Sequence, residues 1–367
     1  MRSLLAAAAV IGTCGAAVAA DEPPLLLSLP VDCDVGKTCF VQKYVDVDPS
    51  PAALDYACNQ ATNDGHTGTD IRLRSTAEVE RGVDVLAAAE GTVKAVRDGM
   101  PDRLVSEENR SSVEHRECGN GVLIEHADGW QTQYCHMREG SIAVEPGQTV
   151  RRGDRLGQVG YSGLAQFPHL HMTVRLHDEV IDPFTGKWLD GSCKLTDEGS
   201  MWDEAARAAL VYRSGELIEI GFSPGPVSTE DVEVARFADF VPGPEAEALV
   251  VYGRFVNLQE GDRIRIVVDG PGGELVSHVN EPLDRAKAHY VAFAGKRRPD
   301  SGWEGGEYSG RVEVIRDGKT VISGATTARI DAEPEAGEKR SERPAAAVKK
   351  TSAPAGVDRN LEGSPAR

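Results

Sequence analysis

Aromatic side chains are scarce in this chain: Phe, Trp and Tyr make up 5% of 367 residues. With 39 glycines beside so few rings, the composition favours small β-rich domains with many turns over one large core. Basic charge is also short, with 40 Lys and Arg against 58 Asp and Glu and a formal net charge of −18. Nucleic acid is therefore excluded as a partner, because its phosphates would be repelled. Any anionic polymer would have to be held by local contacts. No Cys-x-x-Cys pair occurs, which argues against a cysteine zinc knuckle. Past the first twenty residues no apolar run is long enough to predict a transmembrane segment.

What is present begins at the N-terminus. Met1-Arg2-Ser3 precedes a short apolar run from Leu4 to Ile11, and Ala17-Val18-Ala19-Ala20 leads to Asp21. A basic start, an apolar centre and small residues at the end predict a secretory signal peptide over residues 1–20. Export to the periplasm or the extracellular space follows. Cys14 sits after Thr13 rather than after Gly, Ala or Ser, so lipid anchoring is not expected. Six cysteines remain beyond the signal: Cys33, Cys39, Cys58, Cys118, Cys135 and Cys193. An even number in an exported chain predicts disulfides. All lie before residue 200, so the bridges should staple the N-terminal half. Cys118 and Cys135 flank a predicted hairpin and are the expected pair, which would help fix the adjacent His136. Spacing alone does not choose the other pairings.

A cysteine-bearing lead segment with few strand signals covers residues 21–59. Short apolar stretches between Gly turns then predict a β-rich domain over 60–200. Gly121-Val122-Leu123-Ile124-Glu125-His126 and Gln131-Thr132-Gln133-Tyr134-Cys135-His136 flank Ala127-Asp128-Gly129-Trp130, an Asp-Gly hairpin signal. The stretches 146–150 and 153–160 read as a further strand-turn-strand. A polar, charged insertion over 97–119 is either a wall of a groove or a surface excursion. A short helix is predicted near Met201-Trp202-Asp203-Glu204. Residues 210–330 carry strand signals at sandwich-like spacing, without cysteine or a histidine cluster. They predict an immunoglobulin- or fibronectin-like β-sandwich, read as a binding or spacer module with an unknown protein partner. Residues 331–367 turn to Ala, Pro, Glu, Lys and Ser and predict a disordered tail.

The chemistry concentrates in His66 and Asp70 of His-Thr-Gly-Thr-Asp, His136 of Gln-Tyr-Cys-His, and His169 and His171 of Phe-Pro-His-Leu-His. Neutral imidazoles and a carboxylate suit a borderline-soft cation such as zinc. Three of these groups can hold a metal with one position left open, and the other two imidazoles can move protons. His169 and His171 are spaced i, i+2, so on a strand both rings face one cavity. His66 and Asp70 lie among Gly65 and Gly68, which suits a tight loop rather than a helix. Each piece alone is weak, since a lone His-x-His on a strand is more often a surface feature. His115, His126, His177, His278 and His289 fit no such spacing and read as structural or exposed. Tyr134 and Asn120 are candidates for the groove, against the alternative of a core tyrosine and a turn asparagine.

Taken in order, these motifs resemble the LytM/lysostaphin-type zinc endopeptidases of bacterial cell walls. The resemblance covers about residues 60–184. It rests on His66-Thr67-Gly68-Thr69-Asp70, Ala89-Glu90-Gly91-Thr92-Val93, Gly119-Asn120-Gly121-Val122-Leu123-Ile124-Glu125-His126 and Tyr134-Cys135-His136. It continues through Val144-Glu145-Pro146-Gly147-Gln148-Thr149-Val150, Gly160-Tyr161-Ser162-Gly163 and Phe167-Pro168-His169-Leu170-His171. It implies a mainly β fold, with an antiparallel β-sheet metallopeptidase domain ahead of the sandwich. It implies Zn2+ held by His66, Asp70 and His171, with His136 and His169 as catalytic histidines. It implies hydrolysis of peptide bonds in peptidoglycan stems or cross-links. The lead segment, the 97–119 insertion and the C-terminal region lie outside the common core. Two alternatives are a catalytically silent wall-binding protein that activates another hydrolase, and a zinc peptidase acting on a non-wall peptide.

Overall fold

The computed structural model describes residues 25–331. The signal-peptide reading, Cys14 and nearly all of the tail lie outside the described residues. The chain up to the C-terminal module forms strands β1 (Cys39–Lys43), β2 (Thr69–Leu73), β3 (Asp84–Leu86), β4 (Gly91–Arg97), β5 (Asn120–Glu125) and β6 (Trp130–Met137). It continues with β7 (Thr149–Val150), β8 (Arg155–Gln158), β9 (His169–Leu176), β10 (Glu179–Asp182) and β11 (Lys187–Trp188), and with helices α1 (Thr76–Arg81) and α2 (Glu204–Ala209). The main sheet runs β1-β2-β9-β6-β5-β4-β7, with the β10–β11 hairpin paired to β9. Its ladders are antiparallel.

Period-two alternation explains both faces of that sheet. In β9, Leu170, Met172 and Val174 enter the core, while His169, His171, Thr173 and Arg175 line a groove on the other face. Ile71 and Leu73 of β2 join the same core, which leaves Asp70 on the groove side. The predicted β5–β6 hairpin is present. The expected strand-turn-strand over 146–160 is also present, as β7 and β8, but these two strands do not pair with each other. β7 pairs with β4 and β8 with β3, and Val150 and Leu156 are both buried in the same core.

The lead segment does more than its sequence suggests. Its β1 forms the edge of the main sheet against β2. The scarce aromatics gather there: Tyr44, Tyr56, Phe184 and Tyr212 pack with ring centroids 4.8–5.5 Å apart. The bridges are Cys33–Cys39, Cys58–Cys193 and Cys118–Cys135. The last is the expected pair, and the second ties the lead segment to residues beyond the sheet.

The C-terminal region forms β12 (Glu216–Ser223), α3 (Thr229–Glu233), β13 (Ala248–Leu258), β14 (Arg263–Gly270), β15 (Gly273–Val279), β16 (Lys287–Arg297), β17 (Gly306–Arg316) and β18 (Lys319–Ile330). They make a three-stranded sheet, β12-β13-β16, and a four-stranded sheet, β15-β14-β17-β18. Leu249, Val251 and Phe255 of the first share a core with Ile264, Ile266, Val312 and Val314 of the second. Phe40 of β1 is buried against Ile218 and Val256, so this region packs directly on the main sheet. The described residues belong to one compact unit.

Candidate metal centre

Asp70 and His171 are register partners across β2 and β9, and His169 sits two residues earlier on the same face of β9. His66 approaches from the loop before β2. That loop is organised by the lead segment: Asp46 accepts the Gly65 N–H at 2.9 Å, and its own N–H donates to the His66 carbonyl at 2.8 Å. Gly65, at φ +72°, supplies a left-handed turn residue. Gly68 is needed for space, since a Cβ there would lie 2.6 Å from His171 Nε2 and 2.7 Å from the Met172 carbonyl.

Hydrogen bonds assign the imidazole protons. His66 Nδ1 donates to the Tyr44 carbonyl at 2.7 Å. In the neutral ring Nε2 then carries a lone pair, which faces Asp70 Oδ1 at 3.1 Å. His171 Nδ1 lies 2.8 Å from the same oxygen, with its Nε2 3.1 Å from Thr173 Oγ1. One ligand atom each from His66, Asp70 and His171 falls within 4.8 Å of the others. Lone pairs converging on one carboxylate oxygen need a shared proton or a cation between them. Two imidazoles and a carboxylate are a donor set that fits zinc, and all three residues line the groove. The neighbours that hold His66 and His171 fix ring orientation.

His136 and His169 present a different state. His136 Nδ1 donates to the Ser162 carbonyl and His169 Nδ1 to the Phe167 carbonyl, both at 2.8 Å. Each Nε2 is left with its lone pair, that of His169 standing 3.7 Å from Asp70 Oδ1, and the ring centroids lie 4.5 Å apart. Burial pushes His169 down to about 4. Burial also drives His136 well below the ordinary range, helped by His169 and His171. Both rings are neutral bases at neutral pH. At His66 burial opposes protonation, but the Asp70 carboxylate overrides it and raises the pKa. Burial likewise opposes ionisation of Asp70, and His66 with His169 reverses it, so the carboxyl is held well below its usual range.

His136 reaches the cavity through a distortion that spacing does not reveal. The β5–β6 register breaks between Asn120↔Met137 and Val122↔Tyr134, and His136 sits at φ +62°. A bulge re-aims its side chain, and left-handed backbone at a non-glycine residue is strained. The Cys118 carbonyl accepts the His136 N–H at 2.8 Å, and Gly160 N–H donates to the His136 carbonyl at 3.0 Å. The Cys118–Cys135 bridge is therefore part of the support.

All five predicted residues line one groove of about 460 Å3. The 97–119 insertion contributes Arg110, Glu117 and Cys118 to its wall, so it is not a mere surface excursion. Tyr134 and Asn120 lie in the core instead. Tyr134 Oη accepts the Ala88 N–H, and Asn120 joins Met100 to Met137. His126 is buried between the Glu90 carbonyl and Thr132, which is structural as expected. Tyr44 and Asp46 were missed by sequence reasoning, because their action on His66 is through main-chain contacts across the lead segment.

The match to the model of peptidase family M23 spans residues 64–183. Curated relatives include an uncharacterized metalloprotease of Haemophilus influenzae, 29% identical over 36% of this chain and 23% of its own. A DD-carboxypeptidase/endopeptidase, Mpg, of Neisseria meningitidis is 31% identical over 39% of this chain and 29% of its own. The peptidoglycan DD-endopeptidase ShyA of Vibrio cholerae is 31% identical over 29% of this chain and 19% of its own. The chain thus spans less than a third of the length of these relatives. Among solved structures, a zinc-containing peptidase from Vibrio cholerae matches 40% of this chain and 39% of its own, at 24% identity and a TM-score of 0.26. All five of these side chains fall within residues 64–183, the stretch that matches peptidase family M23.

Proposed function

We propose that this protein is an exported zinc endopeptidase that hydrolyses peptide bonds in peptidoglycan stems or cross-links. The observation that carries the reading is the split among five clustered side chains. Three offer ligand atoms within 4.8 Å of one another, and two carry their proton on Nδ1 and present an Nε2 lone pair beside them. A bound zinc ion would supply Lewis acidity toward the scissile carbonyl and the attacking water. His66, Asp70 and His171 would hold it. His169 and His136 are both acceptors at Nε2, so either removes the proton of the water. The imidazolium so formed then donates to the leaving nitrogen.

The groove runs beside β9 and carries Lys43, Arg110 and Arg175 on its walls. In a chain of net charge −18, these cations are the local contacts that suit a peptide bearing carboxylates. Three disulfides among the described residues support an oxidising compartment. A relative named as a peptidoglycan DD-endopeptidase supports the substrate class.

The test is digestion of purified peptidoglycan by the zinc-loaded protein, read by mass spectrometry, beside a chelated sample and His171→Ala. New free amines at one stem or cross-link position, absent from both controls, are expected. Release of the same amines by exhaustively chelated protein would overturn the metal mechanism. No release by folded, zinc-loaded protein would favour a regulatory role or another peptide.

A further inference from the structure

Two arginines lie fully buried where the C-terminal region meets the main sheet: Arg72 of β2 and Arg254 of β13. Glu233, the last residue of α3, sits between them. Arg72 Nη2 donates to both Glu233 oxygens, at 3.0 and 2.9 Å, and Arg254 Nη2 pairs with the same carboxylate. The rest of each guanidinium is also committed. Arg72 Nη1 donates to Gln42 Oε1 at 2.6 Å and Nε to the Leu73 carbonyl at 3.0 Å. Arg254 Nη1 donates to the Arg74 and Val232 carbonyls, and Nε to His289 Nε2 at 2.9 Å.

Arg72 is the register partner of His169 across β2 and β9, and it stands two residues from Asp70 on the same strand face. Its guanidinium carbon lies 4.7 Å from the Phe167 ring centroid. The centroid of the His169 imidazole lies 4.4 Å from that of the same ring, tilted by 33°. Phe167 also supplies the carbonyl that takes the His169 Nδ1 proton. A continuous series of contacts therefore runs from Glu233 through Arg72 and Phe167 to a ring that faces the metal ligands.

We propose that Glu233 is a positioning residue for His169, so that the C-terminal region is part of the catalytic apparatus and not a detachable binding or spacer module. The inference rests on the reading of His169 as a catalytic base. The physical argument is charge balance in a dry site. Glu233 is the carboxylate between two guanidinium groups. Without it, Arg72 and Arg254 repel one another with little solvent screening. Arg72 then withdraws from the Phe167 ring, and the ring packed on His169 loses that contact. Stacking needs the planar guanidinium, which a lysine does not reproduce.

The experiment uses the full chain with zinc, comparing wild type, Glu233→Gln and Arg72→Lys. Ring resonances of 13C-labelled histidine are recorded, with the His169 signal assigned from His169→Gln and exposed His115 as the control. Peptidoglycan cleavage kinetics and zinc affinity by chelator competition follow. Both variants are expected to move the His169 resonance and leave that of His115 in place. kcat is expected to fall about tenfold, in line with the sensitivity of catalysis to ångström-scale misplacement. KM and zinc affinity should stay within about twofold, and Glu233→Asp should restore part of the loss. A folded variant with an unmoved His169 signal, or with wild-type kcat, would overturn the proposal. So would failure of both variants to fold, which would assign the network to stability alone. A wild type that cleaves no peptide would refute the proposed activity, while the resonance comparison would still decide the positioning.

Discussion

Asp182 makes a quantitative prediction about pH and stability. It ends β10 and is wholly buried, with Oδ1 accepting the Phe184 N–H at 3.1 Å and Oδ2 accepting the Thr185 hydroxyl at 2.8 Å. Burial pushes its carboxyl up from 3.8 to about 6, and the nearby Asp55 charge adds to the rise. A carboxyl with a raised folded pKa binds its proton more tightly in the folded state. Its contribution is fully present below about pH 3.8 and is lost as pH rises through 6. That gap, at about 1.4 kcal/mol per pH unit, amounts to roughly 3 kcal/mol, most of it lost between pH 4 and 7. Asp182→Asn keeps the shape and cannot ionise. Denaturant titrations of metal-free wild type and variant at pH 4, 5, 6 and 7 isolate the effect, because metal linkage and other groups cancel. The variant should gain roughly 2–3 kcal/mol on wild type from pH 4 to 7. A difference that stays flat, or falls with pH, would refute the argument from burial.

Two further outcomes follow from geometry at the site. Gly68→Ala drives a methyl into His171 and the Met172 carbonyl; zinc affinity measured by chelator competition should drop about 10–100-fold, and unchanged affinity would show that the strand yields instead. Replacing Cys118 and Cys135 together by alanine opens a bridge of sequence separation 17 and should cost about 3 kcal/mol in denaturant titrations. Activity per folded molecule should also fall, because the Cys118 carbonyl holds the His136 backbone.

Much of the metal centre was legible before any coordinates. His169 and His171 share a face because a strand has period two, and Asp70 follows His66 closely, although Asp70 stands on β2 and only His66 lies in the loop before it. Those are local facts, and local periodicity is what a sequence encodes directly. The hairpin and the Cys118–Cys135 pair were legible for the same reason. The partners of the 146–160 strands were not, because strands of two and four residues carry too little pattern to name the distant strands they join.

The rest depends on long-range packing. His136 enters the cavity through a bulge held by Cys118 and Gly160, and no residue pattern at 134–136 announces a positive φ. His66 is oriented by the Tyr44 carbonyl, a main-chain group that any side chain at that position would carry. Arg72, Glu233 and Arg254 are 161 and 182 residues apart along the chain from Arg72, and charged residues of that kind read as surface in any sequence. Residue type and short-range spacing singled out the five candidate side chains, and the family resemblance divided them into expected ligands and expected catalytic histidines. Tertiary structure alone decided which lone pairs are free and which distant carboxylate steadies them, because proton placement and burial are set by neighbours that only folding brings together.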